Sequence, residues 1–119
     1  MANDINTVGE YNIKTPRGAT FQRQLTWKSN DTPIDITGYS ARFTVKKRQK
    51  DAQVVVALNE ASGITLGGVA GTILVEIDAT TMQSLDVLEY VYDLEMESAS
   101  GFITRLVEGT FEVTRGVTS

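Results

Sequence analysis

Hydrophobic and polar residues alternate along most of the chain, with the two-residue period of β-strands that bury one face. The clearest case has four apolar residues on one face, namely Tyr90, Tyr92, Leu94 and Met96. Shorter runs of the same kind recur throughout, and clusters of turn-forming residues such as 29–33 and 98–101 separate them at nearly even spacing. This pattern predicts an all-β fold, an antiparallel β-sandwich of seven to eight strands whose core spans about residues 11–114. A β-barrel is the alternative architecture.

One segment has the spacing of a helix rather than a strand. Residues 78–85 place Ala79, Met82 and Leu85 three positions apart, and Asp78 is a favourable N-cap residue. We therefore expect one short helical turn near 78–85, closing one end of the sandwich.

Two interruptions are expected within the strands. The turn-like segment Thr15–Gly18 is predicted to end a first short strand that contains Tyr11 and Ile13. In the last strand, which is expected to run from Phe102 to about Thr114, Gly109 is predicted to mark a β-bulge.

Composition narrows the function classes. The chain has 119 residues, which suits a single domain over 1–119, and it contains neither cysteine nor histidine. Disulfides, thiolate nucleophiles, Cys-based metal sites and histidine general bases are thereby excluded. We expect a protein that is not an enzyme and uses no cofactor. The longest apolar run has five residues and the net charge is −4, so neither a membrane nor a specific nucleic acid is an expected partner.

Charge is unevenly distributed between the two halves of the chain. Residues 1–60 hold nine basic and six acidic side chains, whereas residues 61–119 hold two and nine. Much of the positive charge lies in one predicted turn, the basic turn, formed by Lys46, Lys47, Arg48 and Lys50. The basic turn is either a contact for phosphate or for an acidic partner surface, or a solvated turn whose charges guard the apolar strand that follows it.

Negative charge is concentrated in an acidic row, Asp93, Glu95 and Glu97, on one face of a predicted strand. The acidic row has three possible interpretations. The row is a Ca²⁺ site, a glycosidase-like carboxylate pair, or the partner of Arg42 and Lys46 on a neighbouring strand. Pairing with Arg42 and Lys46 is the favoured interpretation, because a straight strand does not wrap a cation as a loop does.

The segment Val54–Leu58 is apolar on both faces, unlike a strand with one face in water. Either the domain covers both of its faces, or one side meets a neighbouring chain. Val54 and Val56 are therefore interface candidates, together with the basic turn and the acidic row.

An ordered set of short phrases resembles a family of phage proteins. The phrases are Arg17–Phe21, Thr32–Ala41, Gly63–Leu66, Gly71–Ile73, Tyr90–Glu95 and Glu108–Val113. Together they look like the Ig-like domain at the N-terminus of phage baseplate upper proteins, and like short stand-alone proteins encoded among phage tail genes. The likeness implies an Ig-like sandwich without a catalytic motif.

The resemblance also implies a role. It points to a virion structural protein, an adaptor of the tail, baseplate or collar that is made in the bacterial host cytoplasm. Its expected partners are other virion proteins, including fibre proteins, and copies of itself in a ring. The alternatives are a capsid decoration protein and a sandwich module that binds carbohydrate or Ca²⁺.

Overall fold

The structure of the chain is a computed structural model that describes residues 3–5, 9–50 and 53–115, with residues 3–5 as backbone only. Strand bounds in chain order are β1 (Asn3–Ile5), β2 (Gly9–Glu10), β3 (Ile13–Pro16), β4 (Phe21–Ser29), β5 (Thr32–Pro33), β6 (Ser40–Lys46), β7 (Val54–Leu58), β8 (Ile64–Leu66), β9 (Thr72–Ile77), β10 (Leu88–Glu97) and β11 (Ile103–Thr114). A 3-10 turn covers Gly68–Ala70, and α1 covers Ala79–Ser84. No helix in this described part of the chain is long and apolar enough to cross a membrane.

The strands of the described residues form two sheets. One has five strands in the order β1-β4-β9-β8, with β5 added on β4. The other has six strands in the order β2-β11-β10-β6-β7, with β3 also paired to β11. The predicted β-sandwich is confirmed, and β1, β2 and β5 add short pairings of two or three residues that the sequence pattern did not predict.

The core lies between the two sheets and is built from the inward faces that the alternation predicted. On β10, Tyr90, Tyr92, Leu94 and Met96 are buried, and on β6 the buried residues are Ala41, Phe43 and Val45. Aromatic rings connect the sheets: Phe21 on β4 packs edge-on against Phe111 on β11, with ring centroids 5.2 Å apart. Such pairs contribute about 1 kcal/mol beyond the area they bury.

The helix predicted near 78–85 is confirmed, and it begins as expected. The Asp78 carboxylate accepts a hydrogen bond from the Thr81 backbone N–H at 2.7 Å. Within the helix, the Met82 side chain is buried. The chain then enters β10, where the buried Tyr90 hydroxyl donates to the Asp86 carbonyl at 3.1 Å. This bond fixes the entry into the central strand, and burial raises the pKa of the Tyr90 hydroxyl.

Gly109 does not mark a bulge, contrary to the prediction. It pairs in regular register with Tyr92, and the irregularity lies at Leu106, between Arg105 and Val107. A glycine is needed at 109 because the segment between β2 and β3 approaches the strand there. A Cβ on Gly109 would lie 2.6 Å from the Tyr11 carbonyl oxygen, which also accepts a hydrogen bond from the Tyr92 hydroxyl.

The predicted end of the first strand also needs correction. Strand β3 continues through Thr15 and Pro16, which pair in parallel with Val113 and Thr114 of β11. Proline is tolerated there because β3 lies at a sheet edge and needs no N–H donor on its outer side. The turn begins at Arg17, two residues later than the turn signal indicated.

Replacement of Tyr90 by phenylalanine is expected to lower the free energy of unfolding by about 1 kcal/mol, because one hydrogen bond is lost while the ring stays buried. Chemical denaturation of both proteins measures the difference. Tyr39→Phe is the matched control, since Tyr39 is half-buried against Trp27 and its hydroxyl has no hydrogen-bond partner among the described residues. Equal losses in the two variants would contradict a specific role for the Tyr90 bond.

Replacement of Gly109 by alanine is expected to cost about 1–3 kcal/mol, because the added methyl group must displace the Tyr11 carbonyl. The same denaturation measurement applies. Thr65→Ala on the exposed face of β8 should change stability by less than about 0.5 kcal/mol. An unchanged midpoint for Gly109→Ala would show that the close approach does not constrain the fold.

Candidate functional site

The outward face of the six-stranded sheet carries most of the charged side chains singled out from the sequence. Strand β10 is central in this sheet, between β6 and β11. Because its apolar residues are buried, the acidic row of Asp93, Glu95 and Glu97 points away from the core, and all three are half-buried.

The predicted pairing between the acidic row and β6 is confirmed for Arg42. The register places Arg42 directly opposite Glu95, and its guanidinium lies 2.9 Å from the Glu95 carboxylate and 3.4 Å from that of Glu97. The hydrogen bond to Glu95 is the main cause of the raised pKa of the Arg42 guanidinium. Lys46 lies opposite Val91, two residues along β10 from Asp93.

A second arginine, Arg105, completes the pairing from the other side, and sequence reasoning missed it. Its guanidinium lies 3.4 Å from Asp93, 3.7 Å from Glu95 and 3.5 Å from Glu108. Arg105 and Arg42 thus flank Glu95 from neighbouring strands. The arrangement favours a solvated ion-pair network, and no group of Asp and Glu residues in the described part of the chain is arranged to hold a metal ion.

Carboxylates are nevertheless crowded at one point of this face. Asp93 lies directly opposite Glu108 on β11, and Glu108 in turn pairs with Glu10 on β2. Like charges in directly opposed positions are destabilising. Burial, reinforced by the nearby Glu95 carboxylate, raises the pKa of Asp93 above its usual range despite the attraction of Arg105.

A shallow cleft of about 490 Å³ lies over this crowded point. Carboxylates line it from the β2 and β11 side, whereas Lys46 and Gln49 line it from the side of the basic turn. The full lining is Glu10, Thr44, Lys46, Gln49, Val91, Tyr92, Asp93, Arg105, Glu108, Gly109 and Thr110. The cleft is open and both signs of charge converge on it, which suits the insertion of a polar or charged side chain from another protein.

The basic turn lies at the corner between β6 and β7. Lys46 is the last residue of β6 and half-buried, while Lys47, Arg48 and Lys50 are exposed beyond it. Basic and acidic candidates therefore share one sheet, with the basic turn at its β7 side and the carboxylates of Glu10 and Glu108 toward the other edge.

The apolar segment Val54–Leu58 is the edge strand β7, paired only with β6 among the described residues. Its two faces differ. Val56 lies opposite Val45 and is 6% exposed, so its side chain belongs to the core, whereas Val54 is 40% exposed beside Lys46. Ala57 is also exposed. An interface here would use Val54, Ala57 and the backbone edge rather than the Val56 side chain.

Comparisons with known proteins support the fold. Among solved structures, the chain matches the N-terminal domain of phage TP901-1 ORF48 with a TM-score of 0.60, over 96% of this chain and 98% of that chain. Sequence identity is 12%, so the match establishes a shared fold and no more. No protein-family model matches the chain, and no curated protein matches it. The likeness to a phage protein domain that the ordered phrases implied is confirmed at the level of structure.

Replacement of Asp93 by asparagine is expected to increase the free energy of unfolding at neutral pH by about 0.5 kcal/mol or less. The pKa of Asp93 is raised in the folded state, so the folded protein holds this proton more tightly than the unfolded chain. Ionised Asp93 therefore destabilises the fold above its folded pKa, and the cost fades as the pH falls toward the ordinary value of 3.8. Urea titrations across this pH range measure the difference.

Glu97→Gln is the matched control for Asp93→Asn. It removes a carboxylate from the same row, but one that has no carboxylate directly opposite and pairs with Arg42. No gain in stability is expected for it. A loss of stability in Asp93→Asn at neutral pH would show that the pair with Arg105 outweighs burial and carboxylate crowding.

Proposed function

We propose that the chain is a non-enzymatic structural protein of a phage virion, an adaptor of the tail, baseplate or collar that holds neighbouring proteins through surface contacts. The observation that carries this proposal is the fold shared with a domain of a phage protein over nearly the full length of both chains. The ordered phrases that resemble phage baseplate upper proteins support it independently, since they were identified from sequence.

The order of the strands and one side-chain hydrogen bond support an Ig-like form of the sandwich. Strands β4, β9 and β8 lie in the order of strands B, E and D of an Ig domain, and β11, β10 and β6 lie in the order of G, F and C. The bond from the Tyr90 hydroxyl to the Asp86 carbonyl, at the start of the strand equivalent to F, has the form of a tyrosine corner.

The chemistry of the outward face supports contact rather than catalysis. Each carboxylate of the acidic row lies within 4 Å of an arginine nitrogen, and these arginines remain about half exposed. Such groups are available to exchange partners with a neighbouring protein. The sequence supplies neither histidine nor cysteine as a proton-transfer group or nucleophile.

Contacts between copies are part of the proposal. The basic turn of one copy and the carboxylates of Glu10 and Glu108 of the next have opposite charge, and they lie toward different edges of the same sheet. Head-to-tail contacts of this kind close into a ring when the rotation between copies permits.

Quantitative mass spectrometry of purified particles of the phage that encodes the chain tests the role. We expect the protein in the particle at on the order of a dozen copies, as for a tail ring. Hundreds of copies would favour capsid decoration instead. A protein that is expressed during infection but absent from purified particles would overturn the proposal.

A further inference from the structure

Among the described residues, no element pairs with the outer backbone edge of strand β7. It is the last strand on its side of the six-stranded sheet, where it pairs with β6. All five of its residues are apolar, none is proline and none is charged. An edge of this kind offers unpaired N–H and C=O groups to another strand.

The other sheet edges of the described residues are shorter or carry protection. Strands β1, β2, β5 and β8 have two or three residues, and β5 contains Pro33. Strand β3 contains both Lys14 and Pro16. Even β6 is protected where β7 ends, because the Glu60 carboxylate accepts a hydrogen bond from the Ala41 N–H at 3.1 Å. Among the described residues, β7 is the longest edge strand and carries neither proline nor charge. Its pairing with β6 is irregular between Val54 and Val56, so the regular part of this edge is Val56–Leu58.

The edge is also held in a fixed position. Val56 is buried opposite Val45 and anchors the strand to the core, while Leu58 packs partly against it opposite Phe43. A partner strand would therefore meet a preformed edge rather than a segment that must first become ordered. Preformed sites avoid much of the entropic cost of association.

The charges at the two ends of β7 favour a second copy of the chain as the partner, paired antiparallel. The exposed lysines Lys47 and Lys50 lie beyond the Val54 end, and the exposed Glu60 lies beyond the Leu58 end. Two copies paired antiparallel through β7 would place each basic turn beside the Glu60 end of the other copy. Parallel pairing would bring the two basic turns together, which is unfavourable.

We propose that β7 is a self-association surface, on which two copies pair antiparallel about a two-fold axis and join their six-stranded sheets into one. This contact is isologous and so differs in symmetry from the head-to-tail contact proposed for a ring, although both place the basic turn beside an acidic group. It does not depend on a virion role. One five-residue strand buries far less than a standard interface, so we expect weak association, with a dissociation constant on the order of 0.1–1 mM.

Equilibrium sedimentation of the full chain from micromolar to millimolar concentration tests the proposal. Ala57→Lys adds a charge to the exposed face of β7, so that two lysines lie near the two-fold axis on the same face of the joined sheet, and should weaken association at least tenfold, by about 1.4 kcal/mol or more. Thr65→Lys is the matched control on the exposed face of β8, an edge of the other sheet, and should change association less than about twofold. Circular dichroism and thermal unfolding confirm that both variants fold.

A distance measurement identifies the strand that pairs. The chain contains no cysteine, so Ala57→Cys gives a single site for a nitroxide label. Antiparallel overlap of at least three residues places the two labelled backbones within about 15 Å of each other. A monomer throughout the concentration range, equal association of the two lysine variants, or label separations beyond about 30 Å would each overturn the proposal.

Discussion

Burial of one face of the central strand β10 is the constraint on which the rest of the structure depends. Successive side chains of a strand point to opposite faces, so burying Tyr90, Tyr92, Leu94 and Met96 directs the acidic row outward. The same strand holds β6 on one side and β11 on the other, and thereby brings Arg42 and Arg105 beside these carboxylates. The alternation of side chains along β10 thus determines both the packing of the core and the pattern of charge on the surface.

Much of this arrangement could be predicted from the sequence, because it depends on local periodicity. The faces of β6 and β10 and the helix capped by Asp78 follow from patterns within a few residues. The pairing of Arg42 with Glu95 was predicted instead from the strand order expected of a sandwich of this type. Arg105 could not be placed in this way. The extra residue Leu106 shifts the phase of β11, so that Leu106 and Val107 are both buried and simple alternation fails.

Contacts between residues far apart in the chain were the other feature that the sequence did not predict. The requirement for glycine at 109 arises from the Tyr11 carbonyl, which approaches from a segment almost a hundred residues earlier in the chain. No local signal reports such an approach, and a bulge was the natural but wrong interpretation. The position of β7 at a sheet edge is likewise a property of strand order. Its doubly apolar sequence indicated an unusual strand, but only the topology shows which side is uncovered.

Surface features that lower the stability of the isolated fold gain a common explanation if the chain works through contacts. Asp93 is partly buried opposite Glu108, and β7 leaves apolar side chains and backbone groups at an edge. A fold selected for stability alone would replace the first with a neutral residue and protect the second with a charge. The ion-pair network tolerates this crowding because Arg105 bridges the opposed carboxylates, and a cation from a neighbouring protein would offset it further. Under the proposed function, both places would become more stable on assembly, because a partner would supply the missing cation at the first and the missing strand at the second.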